Sequence, residues 1–173
     1  MTMTNPTRYS LTIQGHNPAP QGSKRYVGHR HNAKAGRELP VLREESARVG
    51  PWRGVVTTMA VAAGARQRLR EPMDGLLEAS IVFIMEPTQT ALREIAKHPD
   101  GVRGVFPTTQ VYGDIDKLQR STFDGLKDAQ VIKDDARVVA VQAAKVFPGF
   151  FPRLDRPGAY IRLRYLDPGT LRL

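Results

Sequence analysis

Tyr9, Leu11 and Ile13 alternate with polar residues, the period-two pattern of a strand with one buried face, and the Gly/Asn/Pro cluster from Gly15 to Pro20 ends it. Trp52, Val55, Val56, Met59, Ala60 and Ala63 fall on one helical stripe, with Pro51 suited to the first turn. This predicts the main core helix, whose end carries Arg66, Arg68 and Arg70 before Pro72 stops it. Leu76 to Met85 predicts a central strand covered on both faces, because Leu77, Ala79, Ile81 and Phe83 alternate with Leu76, Val82 and Ile84. Thr88 caps a short helix over 89–97, and 98–111 reads as an irregular connection with one short strand near Val105. Leu118, Thr122, Phe123 and Leu126 share a helix face, and strands follow at 138–146 and 160–166. Between those strands, Phe147, Phe150 and Phe151 form an apolar loop that needs a cover. Gln21 to Val49 has no period at all and reads as a long basic loop. The element order predicts one α+β domain, a mixed β-sheet packed with two main helices, over residues 9–173 behind a flexible N-terminus at 1–8.

Composition changes that picture in one respect. With 173 residues, 40% hydrophobic and 25% charged, the chain is an ordinary globular one. No apolar run approaches the roughly 18 residues of a membrane span, and the N-terminus lacks a secretory apolar segment, so a cytoplasmic protein without membrane contact is expected. Cysteine is absent, which excludes disulfides and thiolate metal sites. The net charge of +9, however, calls for a polyanionic partner. It is concentrated in residues 1–72, which hold 12 of the 26 Lys and Arg but only 4 of the 17 acidic residues. Lys24, Arg25, Arg30 and Lys34 in the basic loop are the candidate phosphate contacts, joined by Lys117 and Lys145 further on. His29 and His31 sit in the same loop, where phosphate contact outweighs metal ligation.

Six of the 17 acidic residues nevertheless lie between Asp114 and Asp135. Carboxylates repel phosphates, so an acidic cluster in a basic protein makes sense if cations sit between the two. Asp114-Ile115-Asp116 in extended backbone would point both carboxylates to one side, and a helix starting near Asp116 would make that residue its N-cap. Asp134-Asp135 precedes the next strand, and a returning helix would bring strand-end carboxylates back towards the pair. Hard oxygen donors without Cys are what Mg²⁺ or Mn²⁺ prefers, and such ions can activate water at a phosphorus. Arg120 or Lys117 could neutralise the scissile phosphate. Taken singly, an Asp-x-Asp before a helix is usually a cap, and Asp-Asp a turn.

The run Asp114-Ile115-Asp116-Lys117-Leu118-Gln119-Arg120, then Asp124-Gly125-Leu126, then Asp134-Asp135-Ala136-Arg137-Val138 resembles the signature of the RusA Holliday junction resolvases. That family shows Asp-x-Asp-Asn-Leu-x-Lys, a helix with an Asp-Ala-Leu step, and Asp-Asp-x-x-Val. The resemblance implies a homodimeric, magnesium-dependent endonuclease that nicks a four-way DNA junction symmetrically. It implies metal-binding carboxylates at Asp114, Asp116 and Asp135, and it is what selects Asp135 over Asp134. Arg120 stands where the family has an essential lysine, keeping the charge but replacing a point charge with a planar fork. Lys117 replaces the usual Asn. Two other classes fit the composition: a non-catalytic DNA-binding protein on the same fold, and a nucleoid or virion structural protein. Both are disfavoured by three carboxylates that a mere binder would gain by losing.

Overall fold

The computed structural model describes residues 6–22, 24–34, 36–44, 46–152, 154–167 and 169, so part of the N-terminal segment read as flexible (residues 1–5) lies outside them. Among the described residues a four-stranded sheet runs β1 (Arg8–Gln14), β6 (Gly158–Tyr165), β4 (Leu77–Ile84), β5 (Val138–Val146) in spatial order. β6 is antiparallel to both β1 and β4, and β4 is parallel to β5, which makes the sheet mixed. The alternation that marked the strands becomes three cross-strand rows: Tyr9–Leu163–Ala79, Leu11–Ile161–Ile81 and Ile13–Ala159–Phe83. All nine side chains are at most 2% exposed, so one face of the sheet is the floor of the core. β4 is central, but only that face is fully covered; Val82 is half-buried and Leu76 is 47% exposed.

Helix α1 (Val49–Arg66) lies on this floor through Trp52, Val56, Ala60 and Ala63, with Val55 and Met59 half-buried at the margin. The Tyr9 hydroxyl donates to the Ala60 carbonyl (3.0 Å), and burial pushes that phenol's pKa well up. The helix stops at Arg66, earlier than the arginine row suggests. Arg68 adopts a left-handed conformation (φ 57°) and the Leu69 amide returns to the Gly64 carbonyl, a Schellman-type stop that leaves Arg68 and Arg70 off the helix. Helix α3 (Ile115–Asp128) packs beside α1. Trp52 Nε1 donates to Thr122 Oγ1 (3.2 Å), and Gly125 lets the helices close: a Cβ there would lie 2.8 Å from Val56.

A parallel pair needs a crossover, and residues 85–137 supply it from β4 to β5. Helix α2 (Gln89–Lys97) begins as expected, with Thr88 Oγ1 accepting from the Ala91 amide (3.2 Å). No strand forms near Val105; 3₁₀ turns at Gly101–Gly104 and Gln110–Tyr112 replace it, since the stretch between Gly104 and Pro107 is too short to pair. α3 then runs back along β5, an arrangement that governs the site described below.

The basic segment is not a loop. β2 (Lys24–Asn32) and β3 (Arg37–Glu44) form an antiparallel ribbon of their own, with a bulge between Tyr26 and Gly28. Its composition is polar on both faces, so no hydrophobic alternation announced it. The core cluster passes directly from Ala19 to Trp52, leaving the ribbon outside. In the β5–β6 connection, Phe147 is buried edge-on against Tyr112 (centroids 5.4 Å apart). Phe150 lies between the rings of Phe106 and Phe151, the partial cover that loop required.

Candidate active site

The N-terminus of α3 is built by a tight approach. Gly113, at φ 73°, turns the chain into the helix, and a Cβ on it would meet the Pro20 ring at 2.4 Å. Lys145 Nζ, half-buried at the end of β5, donates to the Gly113 carbonyl (2.7 Å), so this lysine holds the turn. Gln21 N donates to the Lys117 carbonyl (3.0 Å) and Ser121 Oγ to that of Ala19 (2.7 Å), which clamps the segment after β1 onto α3.

Asp114 occupies the N-cap position with extended backbone, and Asp116 sits inside the first turn. The cap position expected at Asp116 therefore falls two residues earlier, at Asp114, and the pair is not two residues of one strand. Asp114 makes no side-chain cap bond; its carboxylate goes to Lys117 Nζ (2.9 Å). That hydrogen bond holds the Lys117 ammonium above the usual lysine range. Both carboxylates are exposed at the helix's positive end, where unsatisfied amides favour anions. Arg120 follows Asp116 by one turn, is exposed, and has no ion pair with a described residue. Beside Asp114 opens a cleft of about 390 Å³ whose walls include Gln21, Arg48, Gln110 and Lys117. Gln21 Oε1 is, among the described residues, the one buried side-chain polar atom without a partner. Sequence reasoning passed over Gln21, Arg48 and Gln110, because neither a lone Gln nor an Arg outside a motif carries a signal.

Asp134 and Asp135 lie at the other end of α3. Asp134 Oδ1 accepts from the Ala136 amide (3.0 Å), capping a 3₁₀ turn at Asp135–Arg137. That backbone bond, with the contact to Asp135, holds the Asp134 carboxyl below the usual range. Lys127 Nζ lies 3.8 Å from Asp134 and 3.9 Å from Asp135, near the helix C-terminus. Thirteen residues separate Asp114 from Lys127, about 20 Å of helix axis. The expected convergence of the three carboxylates does not occur within one chain, because α3 itself stands between its Asp114 end and the Asp134–Asp135 turn beyond its other end. Among the described residues no three His, Asp or Glu side chains lie close enough to hold a metal ion. The donor chemistry suits a hard divalent cation; the single-chain geometry brings together two of the three donors.

Of the candidate phosphate contacts, Arg30 is exposed on β2 and Lys34 is exposed in the ribbon's turn. Lys24 and Arg25 belong to β2 by backbone, while their side chains lie outside the described residues.

The model for the endodeoxyribonuclease RusA matches residues 28–163, most of the chain, from within β2 to within β6. The chain belongs to the RusA endodeoxyribonuclease family. Membership makes it a DNA-cleaving enzyme of a family that acts on branched junctions, and the matched range includes Asp114 to Arg120 at the start of α3. No individual curated protein matches the chain. No helix among the described residues is long and apolar enough to cross a membrane.

Proposed function

We propose that this RusA-family protein is a magnesium-dependent, structure-specific endonuclease that resolves four-way DNA junctions by paired nicks. It works as a homodimer in which each active site draws on both chains. The observation that carries this reading is the α3 N-terminus: two exposed carboxylates, Asp114 and Asp116, stand next to Lys117, Arg120 and a cleft flanked by Arg48. A phosphodiester entering that cleft meets cations on both sides and hard oxygen donors at its end. Lys117 is poised to exchange its bond with Asp114 for the incoming phosphate, and Arg120 to neutralise charge that develops there. Lys145 keeps the Gly113 turn in place while this happens.

The separation of Asp135 supports a composite site. The N-terminal end of α3 on one copy, with Asp114 and Asp116, would meet the Asp135 turn of a second copy, restoring a three-carboxylate set for the ion. β5 is an edge strand whose Val139 and Val141 are 50% and 41% exposed, apolar surface next to Asp135 that a second copy would bury. The ion's contribution would be to activate water and screen phosphate charge.

The test uses a synthetic four-way junction with Mg²⁺ or Mn²⁺. The native protein should cut it; Asp116→Asn should bind it but cut about 100-fold less or worse, as expected for losing a group central to a metal site. Junction left intact by the native protein with either ion would refute the nuclease reading, and would favour a DNA-binding role on the same fold.

A further inference from the structure

The β2–β3 ribbon segregates its charges by face. Residues directly opposite in an antiparallel ladder share a face, and successive residues alternate. The register pairs Arg25 with Arg43, Arg30 with Leu39 and Asn32 with Arg37, and all of these positions fall on one face once the bulge at Tyr26/Gly28 is counted. The other face takes Lys24, Tyr26, His29 and His31 opposite Glu44, Leu42, Pro40 and Glu38. By register four arginine positions and no acidic position therefore fall on one side, and the positions of Glu38 and Glu44 fall on the other.

Side-chain contacts agree with this division. On the mixed face His31 Nδ1 meets Glu38 Oε1 at 3.2 Å, and the Tyr26 hydroxyl meets His29 Nδ1 at 2.6 Å, so that face satisfies itself. On the arginine face Arg30 and Arg37 are diagonal neighbours, both exposed and neither in an ion pair with a described residue. Like charges at opposed and diagonal positions work against the ladder. An arrangement that costs the ribbon stability on its own is accounted for by an anion that lies along it.

We propose that the arginine face of the ribbon is a clamp for the phosphate backbone of a duplex DNA arm, reached because the ribbon projects clear of the core. This rests on the proposed DNA-processing function but concerns a different surface from the carboxylate site. The clamp binds without reading sequence, since phosphates carry none.

The experiment measures the salt dependence of binding to a four-way junction and to a linear duplex of one of its arms. Arg30→Ala with Arg37→Ala should lower the slope of log affinity against log salt by about 2 on both DNAs. Arg30→Lys with Arg37→Lys should keep the slope, and His31→Ala with Glu38→Ala on the opposite face should leave it unchanged. An unchanged slope in the Arg-to-Ala pair, or an equal loss from the opposite-face pair, would overturn the proposal. Full native slope with no cleavage in any metal would overturn the nuclease reading while leaving the clamp standing.

Discussion

Asp116→Asn and Asp135→Asn should each abolish cleavage alone, yet restore it when mixed. The perturbation tests the separation across α3: about 20 Å of helix axis lies between the Asp114 end and the Lys127 end, where Asp135 sits 3.9 Å from the Lys127 ammonium. Side-chain rotation moves a carboxylate by only a few ångströms, so one chain cannot close the gap without unfolding its own core. In a two-fold dimer with composite sites, a mixed pair of variants has one site carrying both substitutions and one carrying neither. Random exchange makes half the dimers mixed, so about a quarter of the native number of sites is intact. The assay is co-refolding of the two variants, followed by strand-resolved analysis of a labelled junction. The expected product is a single nick, because only one site per mixed dimer works, at about a quarter of the native rate of first nicking. If each chain carried a complete site of its own, every site in the mixture would be broken. Cleavage no greater than that of either variant alone would therefore refute the composite arrangement, even with the native protein fully active.

Two stability predictions follow from the helix pair. Gly125→Ala should destabilise the protein by about 1–2 kcal/mol, because crowding against Val56 at 2.8 Å outweighs the better helix propensity of alanine, and thermal melting should fall by a few degrees. A higher melting temperature would mean that the helices separate more cheaply than their packing suggests. Asp128→Asn should cost about 0.5 kcal/mol near neutral pH, the scale of a partly exposed pair. Arg53 hydrogen-bonds the Asp128 carboxylate (Nη2 to Oδ1, 2.8 Å) and holds it below the ordinary value of 3.8. A depressed carboxylate stabilises the fold above its unfolded value and loses that contribution as pH falls through the folded one, so the gap between variant and native should close below pH 3.8. Melts in which the gap persists in acid would point to a contact other than the ion pair.

β1, β4, β6, α1 and α3 were legible because each buries one face of a periodic pattern. Tyr9, Leu11 and Ile13 alternate in the sequence and form the outer ends of three cross-strand rows in the fold. Thr88 was legible for a different reason, since a cap hydrogen bond is local chemistry. The ribbon was not legible: with both faces in water, strand pairing is carried by backbone bonds that leave no trace in side-chain polarity. Asp114 and Asp116 could be found as a motif, but their backbone states could not, because Gly113 turns into the helix two residues sooner than the pair suggests. The single-chain convergence expected of Asp135 rests on the return of the helix, which instead sets Asp135 at the opposite end of α3 from the pair. A helix that returns alongside its strand carries its far end away from its start, and periodicity records direction only after the crossover is known.

The fourteen residues of α3 also bear on safety. A nuclease that completes its catalytic set by folding is armed as soon as it leaves the ribosome. On the composite reading, this chain folds into a harmless half, and the helix acts as a spacer that keeps the trigger and the firing pin in different molecules. Cutting then rises with roughly the square of concentration while the protein is scarce, so a few stray copies leave the genome alone.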